Sequence, residues 1–556
     1  MTIASTHEAP SRGLPPGHLK VIVASSVGTV FEWYDFYLYG ALAGIIAAQF
    51  FTALAPTSGF IFALLAFAAG FAVRPFGALV FGRLGDMVGR KYTFLVTIVL
   101  MGAATFLVGL LPGYETIGVA APILLIALRL LQGLALGGEY GGAATYVAEH
   151  APPGKRGLYT SFIQTTATLG LFLSLLVILG CRYALGKEAF EAWGWRIPFL
   201  LSAVLLGVSV WIRLQLAESP VFAAMKAQGT TSRAPIRESF LSANGRIALL
   251  ALLGATAGQA VVWYAGQFYA LFFLTQTLKI DATTANLLLA AALVIGTPFF
   301  IVFGWLSDKV GRKPVVLAGC LLAALTYFPI FRALTHYGNP AMEQAVATSP
   351  VVVVADPASC RFQFDPVGKR VFASSCDIAK AALAKAGVSY RNEVAAPGAV
   401  AQVRIGADAV ESFEGAALAP AELRERGAAF GAALDARLEA AGYPRTADPA
   451  RIDSPMLLLL LVVLVVYVTL VYGPIAAWLV ELFPPRIRYT SMSLPYHIGN
   501  GWFGGFLPTI AFAMVVASGN IYQGLWYPIA IATMTLVVGT LFLPETRDGG
   551  VVETRD

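Results

Sequence analysis

Apolar runs of more than ~18 residues recur along this chain, and each can cross a ~30 Å hydrocarbon layer as a helix. Twelve are read, near 21–48, 58–82, 93–112, 121–147, 158–181, 197–215, 246–275, 285–306, 314–333, 455–480, 489–516 and 523–543. A transmembrane barrel would instead show short segments of alternating polarity, which are not seen. With 57% hydrophobic and 13% charged residues, a soluble protein of 556 residues would lack polar surface. The expected class is an all-α membrane protein of twelve transmembrane helices.

The net charge of +6 does not point to nucleic acid, because the basic residues sit in short loops between apolar runs. Loops after even-numbered spans hold fifteen Lys and Arg, and the opposite short loops and their flanks hold five. That asymmetry places both termini in the cytoplasm of a bacterial inner membrane. The polar start, 1–20, reads as a tail ahead of a span that serves as an uncleaved insertion signal.

The chain repeats itself. Gly82-Arg-Leu-Gly-Asp86-Met-Val-Gly89-Arg90-Lys91 returns as Gly304-Trp-Leu-Ser-Asp308-Lys-Val-Gly311-Arg312-Lys313, an offset of 222 residues. Ala217-Glu218-Ser219-Pro220 returns as Pro544-Glu545-Thr546-Arg547, an offset of 327, so 105 extra residues lie in the second half. Two six-helix halves follow, 21–216 and 246–333 with 454–543, joined by a linker at 217–245 and ending in a tail at 544–556. Parallel halves of this kind place a transported molecule between them near mid-membrane.

The insertion, 334–453, carries 25 of the chain's 70 charged residues up to residue 452 and falls on the periplasmic side. Val351–Val354 reads as a buried strand and Arg361–Phe364 as an alternating one. Asp377–Lys385 and Ala421–Ala441 read as helices. A small α+β domain is expected. Cys360 and Cys376 would lie in an oxidising compartment, which predicts a disulfide, two free thiols being the alternative. Cys181 and Cys320 read as packing residues within spans.

Charges inside spans are expensive and call for a role. Glu32 and Asp35, three apart, share a face of the first span. Counting ~1.5 Å per residue puts Asp35 ~21 Å from the cytoplasm and Arg129 ~12 Å from the other side, at similar depth. They read either as a protonation-dependent latch or as a permanent bridge between spans one and four. Glu139, in Gly137-Gly-Glu-Tyr-Gly-Gly142, reads either as a partner of Arg74 or as a proton-release group. Asp86 and Arg90, four apart, can pair and break as the halves rock. Gln259, Trp263, Tyr264 and Gln267 share one side of span seven and face either a neighbouring helix or the cavity. His497 and Asn500 on span eleven carry the same ambiguity, the histidine reading first as packed and satisfied. No cluster has metal-ligand spacing and no nucleophile has a convincing base, so neither enzyme chemistry nor a cofactor or metal is expected. The glycine loops lack the Gly-Lys-Ser/Thr ending of a nucleotide-binding P-loop.

The motifs resemble the major facilitator superfamily, and within it the metabolite:proton symporters. Glu32-Trp-Tyr-Asp35-Phe, Arg74-Pro75-Phe-Gly77, both glycine–aspartate loops, Arg129-Leu-Leu-Gln132-Gly133 and Glu481-Leu-Phe-Pro484-Pro-Arg486-Ile-Arg488-Tyr carry the likeness, across 20–333 and 454–547. It implies proton-coupled uptake of a small polar metabolite by alternating access, with 2-oxoglutarate, shikimate, proline and betaine among the family's substrates. A carboxylate is the expected cargo and the proton the coupling ion. Partners are then the metabolite, protons and the bilayer, and the chain is read as a monomer. Asp35, Glu32, Arg129 and Glu139 are the expected proton-coupling residues. Arg129, Tyr37, Gln132, Tyr264, Gln267 and Asn500 are the expected substrate ligands. Gly82, Asp86, Gly89, Arg90, Gly304, Asp308, Gly311 and Arg312 form the expected gate. The competing readings are a proton antiporter that exports its substrate, and a sensor or anchored protein whose periplasmic domain binds a ligand.

Overall fold

Helix dominates the computed structural model, which describes residues 16–51, 56–363 and 372–547; the side chains of 16–25, 27, 32, 36 and 56–69 fall outside the described set. Glu32 is among these side chains. Among the described residues, ten helices are long and apolar enough to cross a membrane. In an apolar medium every backbone N–H and C=O must be satisfied within the segment, which leaves helix as the form available to such runs.

The amino-terminal half comprises α1 (Pro16–Phe50), α2 (Pro56–Met87), α3 (Arg90–Leu110), α4 (Ala120–His150), α5 (Arg156–Leu185) and α6 (Arg196–Leu214). The carboxy-terminal half begins with α7 (Ala243–Thr277), α8 (Ala282–Val310) and α9 (Arg312–Gly338). It resumes after the insertion. The linker contains two short helices, Pro220–Gln228 and Pro235–Phe240.

Packing repeats between the halves. In the first, α2 packs on α4, α3 on α6 and α1 on α5. The α2–α4 contact is close because two glycines permit it. A Cβ at Gly133 would lie 2.1 Å from the Gly70 carbonyl oxygen, and one at Gly137 2.2 Å from that of Arg74. Outward-facing positions are large and apolar, with Leu176 69%, Leu325 67% and Leu541 68% exposed, a surface suited to lipid and not to water.

The insertion folds as its own α+β unit. It contains α10 (Pro340–Thr348), β1 (Val351–Ala355), α11 (Ser375–Ala386), β2 (Tyr390–Val394), β3 (Gln402–Ile405), β4 (Asp408–Glu411) and α12 (Pro420–Ala440). The sheet order is β2-β1-β3-β4, with β1 parallel to β2 and the other pairs antiparallel. Val351 faces Tyr390 and Ile405 across the two pairings. Alternate residues of β1 and β3 join Cys376, Leu383, Phe430, Leu434 and Leu438 in a separate apolar core. The chain then returns through α13 (Ser454–Leu482), α14 (Arg488–Ser518) and α15 (Gln523–Phe542). Here α8 packs on α13, α9 on α15 and α13, and α7 on α15.

Cys360 and Cys376 are disulfide-bonded, while Cys320 is buried and free in α9 and Cys181 is half-buried and free in α5. The strand expected at Arg361–Phe364 does not form: Arg361–Gln363 is irregular, and Phe364 lies outside the described residues. One backbone and one side-chain bond tie the segment to Asp377 instead. The Arg361 N–H donates to Asp377 Oδ1 at 2.8 Å, and the Gln363 amide donates to the Asp377 carbonyl at 2.8 Å.

Candidate functional site

A cavity lies between the halves. Thr29, Trp33, Phe71, Arg74, Tyr140 and Gln164 line it from one side, and Trp263, Tyr264, Tyr472, Tyr496, His497 and Asn500 from the other. Its free volume is about 20 Å³, room for about one water. Rings fill the rest. Tyr140 and Tyr496 stack with centroids 3.7 Å apart, and Trp33 meets Trp263 at 5.4 Å. Tyr472 and Tyr496 are hydrogen-bonded through their hydroxyls, and Gln164 donates to Tyr140 Oη at 2.9 Å. Gln259 and Asn500 exchange amide bonds at 3.3 and 3.2 Å. Two of the three cavity-lining helices of the second half carry π-turns here, Ala265–Tyr269 in α7 and Gly499–Gly504 in α14. Such turns often mark functional positions because they re-aim side chains.

The polar groups of the cavity are unbalanced. Arg74 stacks on Phe71 at 4.3 Å, and no carboxylate lines the cavity among the described residues. Arg74 Nε, Trp263 Nε1 and His497 Nε2 are buried atoms without a hydrogen-bond partner. Buried polar groups are normally satisfied, so three unmade bonds in one cavity ask for a ligand. His497 is packed, as the sequence favoured, and its ring keeps one nitrogen, Nε2, without a hydrogen-bond partner.

Asp35 and Arg129 form an ion pair of 3.2 Å, both buried. Arg129 lies 3.6 Å over the Tyr39 ring, and its Nε and Nη2 have no hydrogen-bond partner. The pair is extended by Gln132, whose amide donates to Asp35 Oδ1 at 3.4 Å and to Thr105 Oγ1 at 2.8 Å. This network belongs to the interior of the amino-terminal half: Asp35 and Thr105 line a small pocket with Met101, Ser202 and Leu206. Of the expected substrate ligands, Tyr264 and Asn500 line the central cavity; Arg129, Tyr37, Gln132 and Gln267 do not. Tyr37 meets the Trp33 ring at a tilt, with centroids 6.0 Å apart. Depth along a helix axis matched Asp35 to Arg129 but carried no information about which side of the bundle the pair occupies.

Glu139 pairs with Arg213 of α6 at 3.1 Å, not with Arg74. Arg213 also donates to the Phe94 carbonyl at 3.0 Å and lies 3.5 Å over that ring. Arg74 matches Glu139 in depth but comes from α2, whereas Glu139 points to the α3–α6 side.

At one end of the molecule the halves are sealed by two matching networks. Asp86 binds Arg90 at 2.6 Å and accepts from the Tyr489 and Thr490 N–H groups at 3.3 and 2.8 Å. Asp308 binds Arg312 at 2.5 Å and accepts from the Gly157 and Leu158 N–H groups at 2.9 and 2.7 Å. Each aspartate thus caps the first turn of a helix in the other half. Glu149 pairs with Arg488 at 3.2 Å and Glu481 with Arg156 at 3.7 Å, again across the halves. Residues 149, 156, 157 and 158 map onto 481, 488, 489 and 490 at one offset of 332. Within each half, Glu218 accepts from the Arg90 and Lys91 N–H groups at 3.1 and 3.2 Å, and Glu545 from those of Arg312 and Lys313 at 2.9 and 3.0 Å. Those carboxylates explain the glycines. Gly89 (φ 146°) and Gly311 (φ 113°) hold a backbone conformation side chains rarely adopt, and a Cβ at either would lie 2.4 Å from a carboxylate oxygen. Sequence reasoning gives Glu149, Glu218, Glu481 and Glu545 no functional role. The recurrence of Glu218 and Glu545 at matching positions was the signal that could have found them.

Known proteins match this architecture. The family described as "Sugar (and other) transporter" matches residues 20–240. The shikimate transporter of Escherichia coli (strain K12) is 37% identical over 321 residues, 57% of this chain and 72% of that protein. The alpha-ketoglutarate permease of the same strain is 38% identical over 321 residues, with the same shares. A putative metabolite transport protein of Haemophilus influenzae (strain ATCC 51907 / DSM 11121 / KW20 / Rd) is 30% identical over 530 residues, 95% of this chain and 94% of that protein. A double Trp mutant of XylE shares the fold, with a TM-score of 0.61 at 15% identity over 96% of this chain and 97% of that one. The chain is a multi-pass membrane protein and belongs to the metabolite transporters of the major facilitator superfamily.

Proposed function

We propose that this chain is a proton-coupled symporter that takes up a small anionic metabolite, a carboxylate, by alternating access. The observation that carries the reading is the imbalance of the central cavity. Arg74, Trp263 Nε1 and His497 Nε2 present unmade bonds there, and no carboxylate among the described lining residues answers them. An arginine fork matches a carboxylate in charge and geometry. The names of two relatives, for shikimate and alpha-ketoglutarate, agree with a carboxylate cargo. XylE, which shares the fold, is described as a proton:xylose symporter, and this agrees with proton coupling.

In this reading Arg74 binds the carboxylate, with Tyr264 and Asn500 beside it. Asp35 exchanges the proton. Loss of its charge removes the attraction on Arg129 and loosens the α1–α4 contact, so that proton and substrate occupancy bias the same rocking motion. Arg129 acts through Asp35, and Glu139 stays paired with Arg213 as a brace for α4. Glu32 remains an expected coupling residue. With α1 and α2 the spans number twelve, and both termini are cytoplasmic in a bacterial inner membrane. The sealed end is then the cytoplasmic one. The inserted unit is periplasmic, in keeping with its disulfide. The chain works as a monomer without a bound cofactor.

Uptake into proteoliposomes with an imposed pH gradient, using shikimate and 2-oxoglutarate, tests both parts. Arg74→Gln is expected to raise KM at least tenfold. Asp35→Asn is expected to lose accumulation against a gradient while keeping exchange. Unchanged uphill uptake by Asp35→Asn would remove the coupling assignment, and unchanged KM in Arg74→Gln the substrate site.

A further inference from the structure

The inserted unit holds a second cavity, of about 560 Å³, far larger than the one between the halves. It opens between α11 and α12, against the loop that follows α7. That size lies within the ~300–1,000 Å³ typical of sites for drug-sized ligands. Its wall is apolar, made largely by Ile378 and Ala382 of α11 and Phe430, Leu434 and Leu438 of α12. The rim is charged. Lys279 and Lys385 stand there with one carboxylate, Asp435, while Arg445 is engaged by Glu439 at 2.9 Å.

Two features of the chain keep this space open and charged. Gly427 and Gly431, one turn apart on α12, both line the cavity, and a Cβ on either would meet nothing within 4 Å. Glycine weakens a helix interior relative to alanine, so their presence serves neither helix stability nor packing. Lys279 is the one non-glycine residue with positive φ (57°) among the described residues. Backbone held in a sparsely populated region calls for a local reason. Here it brings the Lys279 ammonium to the rim, where it donates to the Lys385 carbonyl. Burial lowers that ammonium's pKa from its usual value, with Asp435 opposing and Lys385 adding to the effect.

We propose that this cavity binds a soluble amphipathic anion, a carboxylate or sulfonate carried on an apolar body of roughly drug size. The apolar wall takes the body and the two ammonium groups take the charge. A dicarboxylate of the kind proposed for the central cavity is too small and too polar for this wall. Because one rim belongs to the α7–α8 loop and the rest to the inserted unit, an occupant bridges the two. Residues Trp263 and Tyr264 lie on the same α7 that this loop ends, so the site is placed to report to the transport cavity.

The test is calorimetric titration of the full-length protein in lipid nanodiscs with 2-naphthoate, empty nanodiscs being subtracted. Neutral 2-naphthalenemethanol serves as the control for charge. Saturable one-to-one binding of naphthoate is expected, at least tenfold tighter than the alcohol. Gly431→Leu, which fills open space, and Lys385→Gln are each expected to weaken it at least tenfold, while Arg74→Gln leaves it unchanged. Amide exchange of 274–281 and of α12 should slow on binding. The proposal is overturned if naphthoate does not bind, if the alcohol binds equally well, or if Gly431→Leu and Lys385→Gln leave the affinity intact. Loss of binding in Arg74→Gln alone would move the ligand to the central cavity.

Discussion

Three buried or half-buried arginines of the amino-terminal half differ in what answers their charge. Arg213 has Glu139 and the Phe94 carbonyl, Arg129 has Asp35 but two unmade bonds, and Arg74 has no carboxylate beside it among the described lining residues. A buried cation answered by a carboxylate of the protein braces, and one with no such carboxylate beside it can bind an anion. The difference predicts different phenotypes. Glu139→Ala leaves Arg213 buried without its partner, and the expected loss of stability is about 3–5 kcal/mol, read as a fall in melting temperature of the purified protein. Arg74→Lys keeps the charge but loses the planar fork, so KM is expected to rise roughly tenfold, about 1.4 kcal/mol, with stability unchanged. Residue type and depth were legible in the sequence for Arg74 and Arg129, whereas Arg213 counted there only among the basic residues of the loop after the sixth span. The pairing of Arg129 with Asp35 was legible too, but the partner of Glu139 was not, because rotation of α4 about its axis decides whether Glu139 faces α2 or α6.

Among elements, the helices were readable because length and apolarity alone force a membrane span. The strands were less so. β1 is buried on alternate residues, Val351, Val353 and Ala355, and was read; β2 buries only Tyr390 and β4 none of its four residues, so neither shows a usable alternation. Close helix packing can be tested at Gly137, where a Cβ would strike the Arg74 carbonyl from 2.2 Å. Gly137→Ala is expected to separate α2 from α4, with a clear loss of melting temperature and of transport. On α12 the sign reverses: Gly427→Ala meets open space and is expected to stabilise the inserted unit by about 0.5–1 kcal/mol, seen in denaturant unfolding followed by amide exchange within it. The disulfide of that unit closes a separation of 16 residues, so its reduction should cost about 3 kcal/mol locally.

For the whole molecule, the seal is the property that no single half contains. Asp86 caps a helix of the carboxy-terminal half and Asp308 one of the amino-terminal half, so each gate residue completes its bonding only when the halves meet. Asp86→Asn combined with Asp308→Asn is therefore expected to open this end. Single cysteines placed near Gly157 and Thr490 should then label at least tenfold faster, while either single variant gives a smaller change. Hydrophobic length, a recurring motif and an excess of charge can be read along one dimension, and they sufficed for the class of protein, the duplicated halves and the inserted unit. That Arg74, Trp263 and His497 share a cavity, that Asp35 and Arg129 lie outside it, and that Glu149 reaches Arg488 emerge from the packed helices alone. Those outcomes depend on helix rotation and on contacts between segments hundreds of residues apart, which no local pattern encodes.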